Sequence, residues 1–213
     1  MSVQSQMLNQ KILESFEAAF PDKGTAKILV TALEVFSRKG LVAAKIKDIA
    51  QTAGFSQGFV YNYFPSKDDI FIRLVDIASE CAGIMVKNVS ELEGTPLDKI
   101  RWLTEALLLD DGAVMRHWQL IMLQASTSEA VPEKAKKISE EKMLQPIRYL
   151  IPILMEGQAG GLFVKEDPAM LALTYFSIVQ GLGITKLQGG TDLPFPSVDR
   201  ILSFLKYESE GAL

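Results

Sequence analysis

Cysteine and histidine each occur once in the 213 residues, as Cys81 and His117. A single cysteine excludes an intrachain disulfide framework and any Cys-rich metal site. No metal-ligand spacing and no Gly-rich phosphate loop is found, and GGLF and LQGG read as turns with no catalytic residue after them. The chain is therefore expected not to be an enzyme and to carry no metal or cofactor. No stretch of about 18 apolar residues runs free of charge or of Gly and Pro breaks, so no membrane span is expected. The opening residues MSVQSQMLNQKILESF lack the basic start and apolar run of a secretion signal. With the lone cysteine, they point to a cytoplasmic protein.

What is present is apolar and acidic. At 48% hydrophobic and 23% charged residues, the chain can fill the core of one large domain, or of a small domain joined to a larger one. The net charge of −4 hides an asymmetry. Residues 23–67 hold seven bases (Lys23, Lys27, Arg38, Lys39, Lys45, Lys47, Lys67) against Glu34 and Asp48, a local +5 that leaves −9 for the rest. One end is built to meet a polyanion; the acidic bulk has another task.

Strand signals are almost absent, and apolar residues recur at spacings of three and four. Leu8, Ile12, Phe16 and Phe20 predict an amphipathic helix before Pro21. Ile28, Ala32, Val35 and Phe36 predict a helix over about 25–39 closed by Gly40, and two short helices bracket Gly54-Phe55-Ser56. A long helix should follow Pro65, capped by Ser66 with Asp69 three residues on. Glu93-Gly94-Thr95-Pro96 and Asp110-Asp111-Gly112 delimit a helix carrying Ile100, Leu103 and Leu107, and another covers about 113–126. Pro132 should open a helix to about Gly157, bent at Pro146 and Pro152. Asp167-Pro168 opens one to about Leu187, and Ser197 caps the last. The fold class is all-α.

The stretch IKDIAQTAGFSQGFVYNYF has the spacing of a helix-turn-helix. Ile49, Ala53 and Val60 face a core, Ala50 is small where two helices cross, Gly54 sits where positive φ is needed, and Ser56 can cap the second helix. Gln57, Gly58, Tyr61 and Asn62 then point outward. The segment FSQGFVYNYFPSK carries aromatics, amides and a lysine but no carboxylate.

TAKILVTALEVFSRKG followed by IKDIAQTAGFSQGFVYNYFPSKDDIF resembles the N-terminal domain of the tetracycline-repressor (TetR) family of transcriptional regulators, over residues 25–72; GQAGGLFVKEDPAMLALTYFSIVQGLGI is a weaker echo. The resemblance implies an N-terminal extension (1–22), a three-helix DNA-binding domain (23–70) and a larger helical ligand-binding and dimerisation domain (71–213). It implies that the second motif helix enters the major groove. Gln57 and Asn62 would read base edges, Gly58 would allow close approach, and Phe59 would touch a thymine methyl. Tyr61, Tyr63, Lys45 and Lys67 would meet the sugar-phosphate backbone. Phe55, Phe64 and Tyr63 also read as core. Ala44 and Lys45 stand where the family often has threonine, so the first motif helix lacks that hydroxyl cap.

The same resemblance implies a homodimer on a double-stranded, palindromic operator and a small-molecule effector. Apolar stripes suited to the dimer contact, or else to an intrachain helix pair, are Leu171, Thr174, Ile178 and Leu182, and Val198, Ile201, Leu202 and Leu205, with Gly181 and Gly183 allowing close packing. Candidate pocket residues are Met85, Trp102, His117, Ile121, Gln124, Met143, Tyr149 and Tyr175, a lining suited to an apolar compound; each also reads as packing. Cys81 reads as a small buried hydrophobe. The expected mechanism is a ligand-driven population shift in the spacing of two motif domains, with the helix over 66–87 as lever. The alternative is a helical interaction module whose basic end binds an acidic partner without reading sequence.

Overall fold

In a computed structural model of the chain, residues 1–18, 20, 22–109, 113–189 and 194–206 are described. All regular structure among them is helical: α1 (Val3–Ala18), α2 (Lys23–Ala43), α3 (Ile46–Ala53), α4 (Gln57–Tyr63), α5 (Lys67–Ser90), α6 (Pro96–Leu108), α7 (Ala113–Thr127), α8 (Glu133–Met143), α9 (Gln145–Ala159), α10 (Pro168–Gly189) and α11 (Val198–Ile201), the last continued by a 3-10 turn over Leu202–Leu205.

Short-range side-chain chemistry sets several helix starts. Asp22 accepts the Thr25 amide at the head of α2, Thr95 and Asp98 form a capping box on α6, and the Ser197 hydroxyl accepts the Arg200 amide. At α5, the Ser66 hydroxyl accepts the Asp69 amide and donates to its carboxylate. Three expectations need correction. Gly40 does not end α2 but kinks it at φ 73, and a further turn runs to Ala43. The helix expected over 132–157 is two helices broken at Leu144. Pro146 lies in the first turn of α9, where its missing amide costs nothing, and only Pro152 lies inside. The last helix has four residues before it tightens. The break at Asp110-Asp111-Gly112 lies outside the described residues.

The chain forms two compact units. The first comprises Lys11–Ala82 and Asp111–Met143; the second comprises Met1–Gln10, Gly83–Asp110 and Leu144–Leu213. In the first, α2 supplies Ile28, Leu29, Leu33 and Phe36 to a core shared with Ile49, Val60, Phe71, Leu74 and Ile121. Phe36 and Phe71 meet edge to face at 5.5 Å. α7 packs along α2, so this unit includes α7 and α8 as well as the helix-turn-helix.

In the second unit α10 packs on α9 and α6 through Leu171, Ala172, Tyr175 and Val179. Residues 168–187 are long and apolar enough to cross a membrane by length and composition. Yet the helix exposes Thr174, Ser177 and Gln180 and uses its buried side as core. Buried Tyr175 shares a 2.9 Å hydrogen bond with Thr104, whose hydroxyl also donates to the Ile100 carbonyl. Phe163 covers Gly157, where a Cβ would fall 2.0 Å from the ring. Arg101 holds Asp199 at 2.7 Å, joining α11 to α6. The start of α1 is attached here too: the amide of Ser2, just before the helix, and the Ser5 hydroxyl in its first turn each donate to Glu105 at 2.7 Å.

Candidate nucleic-acid interface

α3 and α4 make the predicted helix-turn-helix, each burying a narrow apolar face. Ile46, Ile49, Ala50 and Ala53 of α3 and Val60 of α4 are buried. Gly54 caps α3 in the left-handed region (φ 70, ψ 29), the conformation the sharp turn needs and glycine adopts without strain. Ser56 caps α4, its hydroxyl accepting the Phe59 amide at 3.1 Å.

The opposite side of α4 is open. Gln57, Gly58, Tyr61 and Asn62 are exposed, and the Gln57 and Asn62 amides have no hydrogen-bond partner among the described residues. Lys45 and Lys47 are exposed at the start of α3. Both edges of a base-reading amide are thus available beside cations, with no acidic side chain on α4.

The aromatic residues divide by role. Phe64 is buried. Phe59 is half-buried between Phe55 (4.3 Å) and Tyr63 (5.1 Å), and Lys27 lies 4.9 Å over the Phe55 ring. Phe59 therefore acts as the middle of a stack supporting α4, where the sequence alone suggests a base contact. Tyr63 is 39% exposed, and its phenol lies over Gly24 in the first turn of α2. Tyr61 is 52% exposed and is not in that stack.

Two charged residues have partners that the sequence does not reveal. Lys67, expected at a phosphate, instead donates from its ammonium to the carbonyls of Leu41 (2.7 Å), Val42 (3.0 Å) and Ala44 (3.0 Å). The start of α3 is capped despite Ala44 and Lys45: Asp48 accepts the Lys45 amide at 3.0 Å and pairs with Lys39 at 2.9 Å. The Lys39 hydrogen bond, then the Lys45 amide, hold its carboxyl below the ordinary value. A carboxylate three residues after the N-cap is the signal in the sequence that points to it.

The candidate pocket residues fall in both units. Met85, Trp102, Tyr149 and Tyr175 belong to the second; His117, Ile121, Gln124 and Met143 belong to the first. Several have structural tasks. Tyr175 is wholly buried on Thr104, Trp102 covers Gly94, Ile121 fills the first core, and Met143 is 64% exposed. Gln124 bonds backbone groups on both sides of the α2 kink, accepting the Leu41 amide (3.2 Å) and donating to the Phe36 carbonyl (3.1 Å).

The expected dimer stripe of Val198, Ile201, Leu202 and Leu205 is buried within its own chain, where α11 packs onto α6; Leu171 is buried as well, on α10, which packs against α9 and α6. Ile178 and Leu182 are half-buried, while Thr174 and Gly181 are exposed. The side of α10 left open carries Met170, Leu173, Thr174 and Gly181 at helical spacing.

A helix-turn-helix with a capped, carboxylate-free second helix is the architecture that one class of DNA-binding domain uses. Residues 28–74 match the family model described as bacterial regulatory proteins, tetR family. A Bacillus subtilis HTH-type transcriptional regulator, YfiR, is 44% identical over 55 residues, 26% of this chain and 27% of that protein. The HTH-type transcriptional repressor KstR2 of Mycobacterium tuberculosis is 22% identical over 137 residues, 64% of this chain and 68% of its own. The match spans about a quarter and about a half of the first two curated relatives. A transcriptional regulator from Saccharomonospora viridis, solved in complex with choline, superposes with a TM-score of 0.70 at 24% identity, over 84% of this chain and 91% of that one. Residues 28–74 thus match the N-terminal domain of the tetR family, and the similarity of the rest of the chain to the solved structures is one of fold.

Proposed function

We propose that the chain is a ligand-responsive, sequence-specific DNA-binding transcriptional regulator, acting as a repressor that a small apolar molecule releases from its operator. The observation that carries this is the open side of α4, where Gln57 and Asn62 present unpaired amides beside Lys45 and Lys47. Such a side offers bidentate partners to adenine and cations to phosphate. The named repressors among its relatives support the sense of regulation.

One short reading helix discriminates little by itself, so two copies on a palindromic operator are the natural functional form. The exposed Met170, Leu173, Thr174 and Gly181 of α10 offer the second copy an apolar, small-residue face. Effector binding within residues 71–213 would shift the population of spacings between two motif domains, with α5, which contributes to both units, as the connecting element.

The test starts from duplexes selected by the protein out of a random pool. Fluorescence anisotropy with excess competitor DNA is measured for wild type and Tyr61→Ala, then repeated across a panel of small apolar compounds. Competitor-resistant binding lost in Tyr61→Ala and reversed by a panel member is expected. Equal affinity for every duplex would overturn the reading.

A further inference from the structure

The stretch from Gly40 to Lys45 leaves α2 and enters α3, and side chains from α5 and α7 of the same unit hold its backbone. Gly40 sits at φ 73, so the helical ladder of α2 is interrupted there. Gln124 of α7 bridges the interruption, its oxygen accepting the Leu41 amide and its nitrogen donating to the Phe36 carbonyl. Beyond the kink, the carbonyls of Leu41, Val42 and Ala44 converge on the ammonium of Lys67 at 2.7–3.0 Å. An ammonium has three protons to donate and no acceptor, so these bonds use its full capacity. They also put a cation at the electronegative end of α2, where carbonyls lack helical partners.

We infer that Lys67 and Gln124 are positioning residues for DNA readout: together they fix the α2–α3 connector, and the charge of Lys67 is spent on backbone carbonyls instead of on a phosphate. This rests on the DNA-binding reading above. The connector leads directly into α3, and α3 carries α4 with it through buried Ile49, Ala50, Ala53 and Val60. A connector that shifts therefore moves Gln57 and Tyr61 relative to the DNA. Interfaces of this kind lose affinity for displacements of about an ångström. Lysine suits the task because three converging carbonyls form a tripod, which a compact ammonium satisfies and a planar guanidinium fork does not.

The experiment compares wild type, Lys67→Arg, Lys67→Met, Gln124→Ala and the Lys67→Met/Gln124→Ala double variant. Operator affinity is measured against salt on a duplex the wild type selects, and amide hydrogen exchange is measured over residues 40–56 in the free protein. Both Lys67 variants should bind about tenfold more weakly with an unchanged salt slope. Exchange should rise in all the variants, and the double variant should lose less than the sum of the singles, because both residues act on one connector. The proposal is overturned if Lys67→Arg binds like wild type while Lys67→Met lowers the slope by about 0.9, the mark of one phosphate no longer neutralised. It is equally overturned if exchange over 40–56 stays at the wild-type rate. Should the wild type select no duplex, the DNA reading fails by itself, and exchange still decides whether Lys67 and Gln124 hold the connector.

Discussion

The phenol of Tyr63 lies against Gly24: a Cβ placed on Gly24 would fall 2.6 Å from the Tyr63 hydroxyl oxygen and 2.8 Å from the ring carbon that bears it. The end of α4 is thereby seated on the first turn of α2, and Tyr63 keeps 39% of its surface in solvent. Gly24→Ala must displace this half-exposed phenol and ease past the Asp22 carboxylate oxygen, which would lie 3.0 Å from the added Cβ; alanine's better helix propensity offsets part of that cost. Thermal stability should stay within about 0.5 kcal/mol of wild type, while operator affinity drops by roughly fivefold to tenfold. Melting curves and anisotropy on the same samples check the split.

Gly54 and Gly58 should respond in opposite ways to alanine. Gly54 has φ 70, and a Cβ added to it would meet nothing within 4 Å, so Gly54→Ala faces only backbone strain. It should cost about 1–2 kcal/mol of stability. Gly58 has no positive φ, and the atom nearest to its added Cβ would be the Ser56 hydroxyl at 4.0 Å. Gly58→Ala should raise stability by up to about 1 kcal/mol and weaken DNA binding, because the added methyl stands on the exposed side of α4. Chemical denaturation and anisotropy read both effects.

Gln57 and Lys47 should separate by their salt dependence. Gln57→Ala should lose about 1–3 kcal/mol of discrimination at one base pair and leave the salt slope unchanged. Lys47→Ala should weaken all duplexes alike and lower the slope by about 1. Titrations at several salt concentrations on selected and scrambled duplexes distinguish them.

The Thr104–Tyr175 bond predicts an order of stabilities. Thr104 donates to the Ile100 carbonyl, so Tyr175 is the donor of the shared 2.9 Å bond. Tyr175→Phe removes that donor and leaves the Thr104 donation intact, at a cost of about 1 kcal/mol. Thr104→Val strands a wholly buried hydroxyl and should cost about 1–3 kcal/mol. Thr104→Val should be the less stable in urea denaturation.

Cys81 should be unreactive in the native protein. Burial, and then the neighbouring Glu80, push its thiol up to about 11. The ordinary value is about 8.5, so near pH 8.5 alkylation of the folded protein should be roughly a hundredfold slower than of the unfolded chain. The linkage has a definite sign. The unfolded thiol loses its proton first, so this contribution to stability is complete below about pH 8.5 and is lost as pH rises through about 11. Iodoacetamide rates with and without denaturant, and melting curves across that range, check both statements.

What could be read from the sequence was local. Gly54, Ser56 and the three-and-four spacing of Ile49, Ala53 and Val60 lie within twelve residues, and each acts on its own backbone or on the next helix. The exposed set Gln57, Gly58, Tyr61 and Asn62 followed from that spacing. The tasks of Lys67 and Gln124 were not legible, because their partners lie 23–26 and 83–88 residues away. Composition cannot tell a lysine aimed at a phosphate from one aimed at a carbonyl. The last apolar stripe failed for a related reason: Val198, Ile201, Leu202 and Leu205 have the spacing of an interface. Whether a neighbouring helix or a second chain covers such a stripe depends on the tertiary fold, here on α6. At Pro146, the same residue type bends a helix interior or opens a new helix at no cost, and only the break at Leu144 decides which.

The central claim is that the open side of α4 reads base sequence. The most direct measurement is the ratio of affinities for a selected duplex and its scrambled counterpart, at one fixed salt concentration, for wild type and Gln57→Ala. A large wild-type ratio that falls by about tenfold or more in Gln57→Ala, with scrambled-duplex affinity unchanged, is the predicted result. A wild-type ratio near one, or a ratio indifferent to Gln57→Ala, Tyr61→Ala and Asn62→Ala alike, would contradict the account.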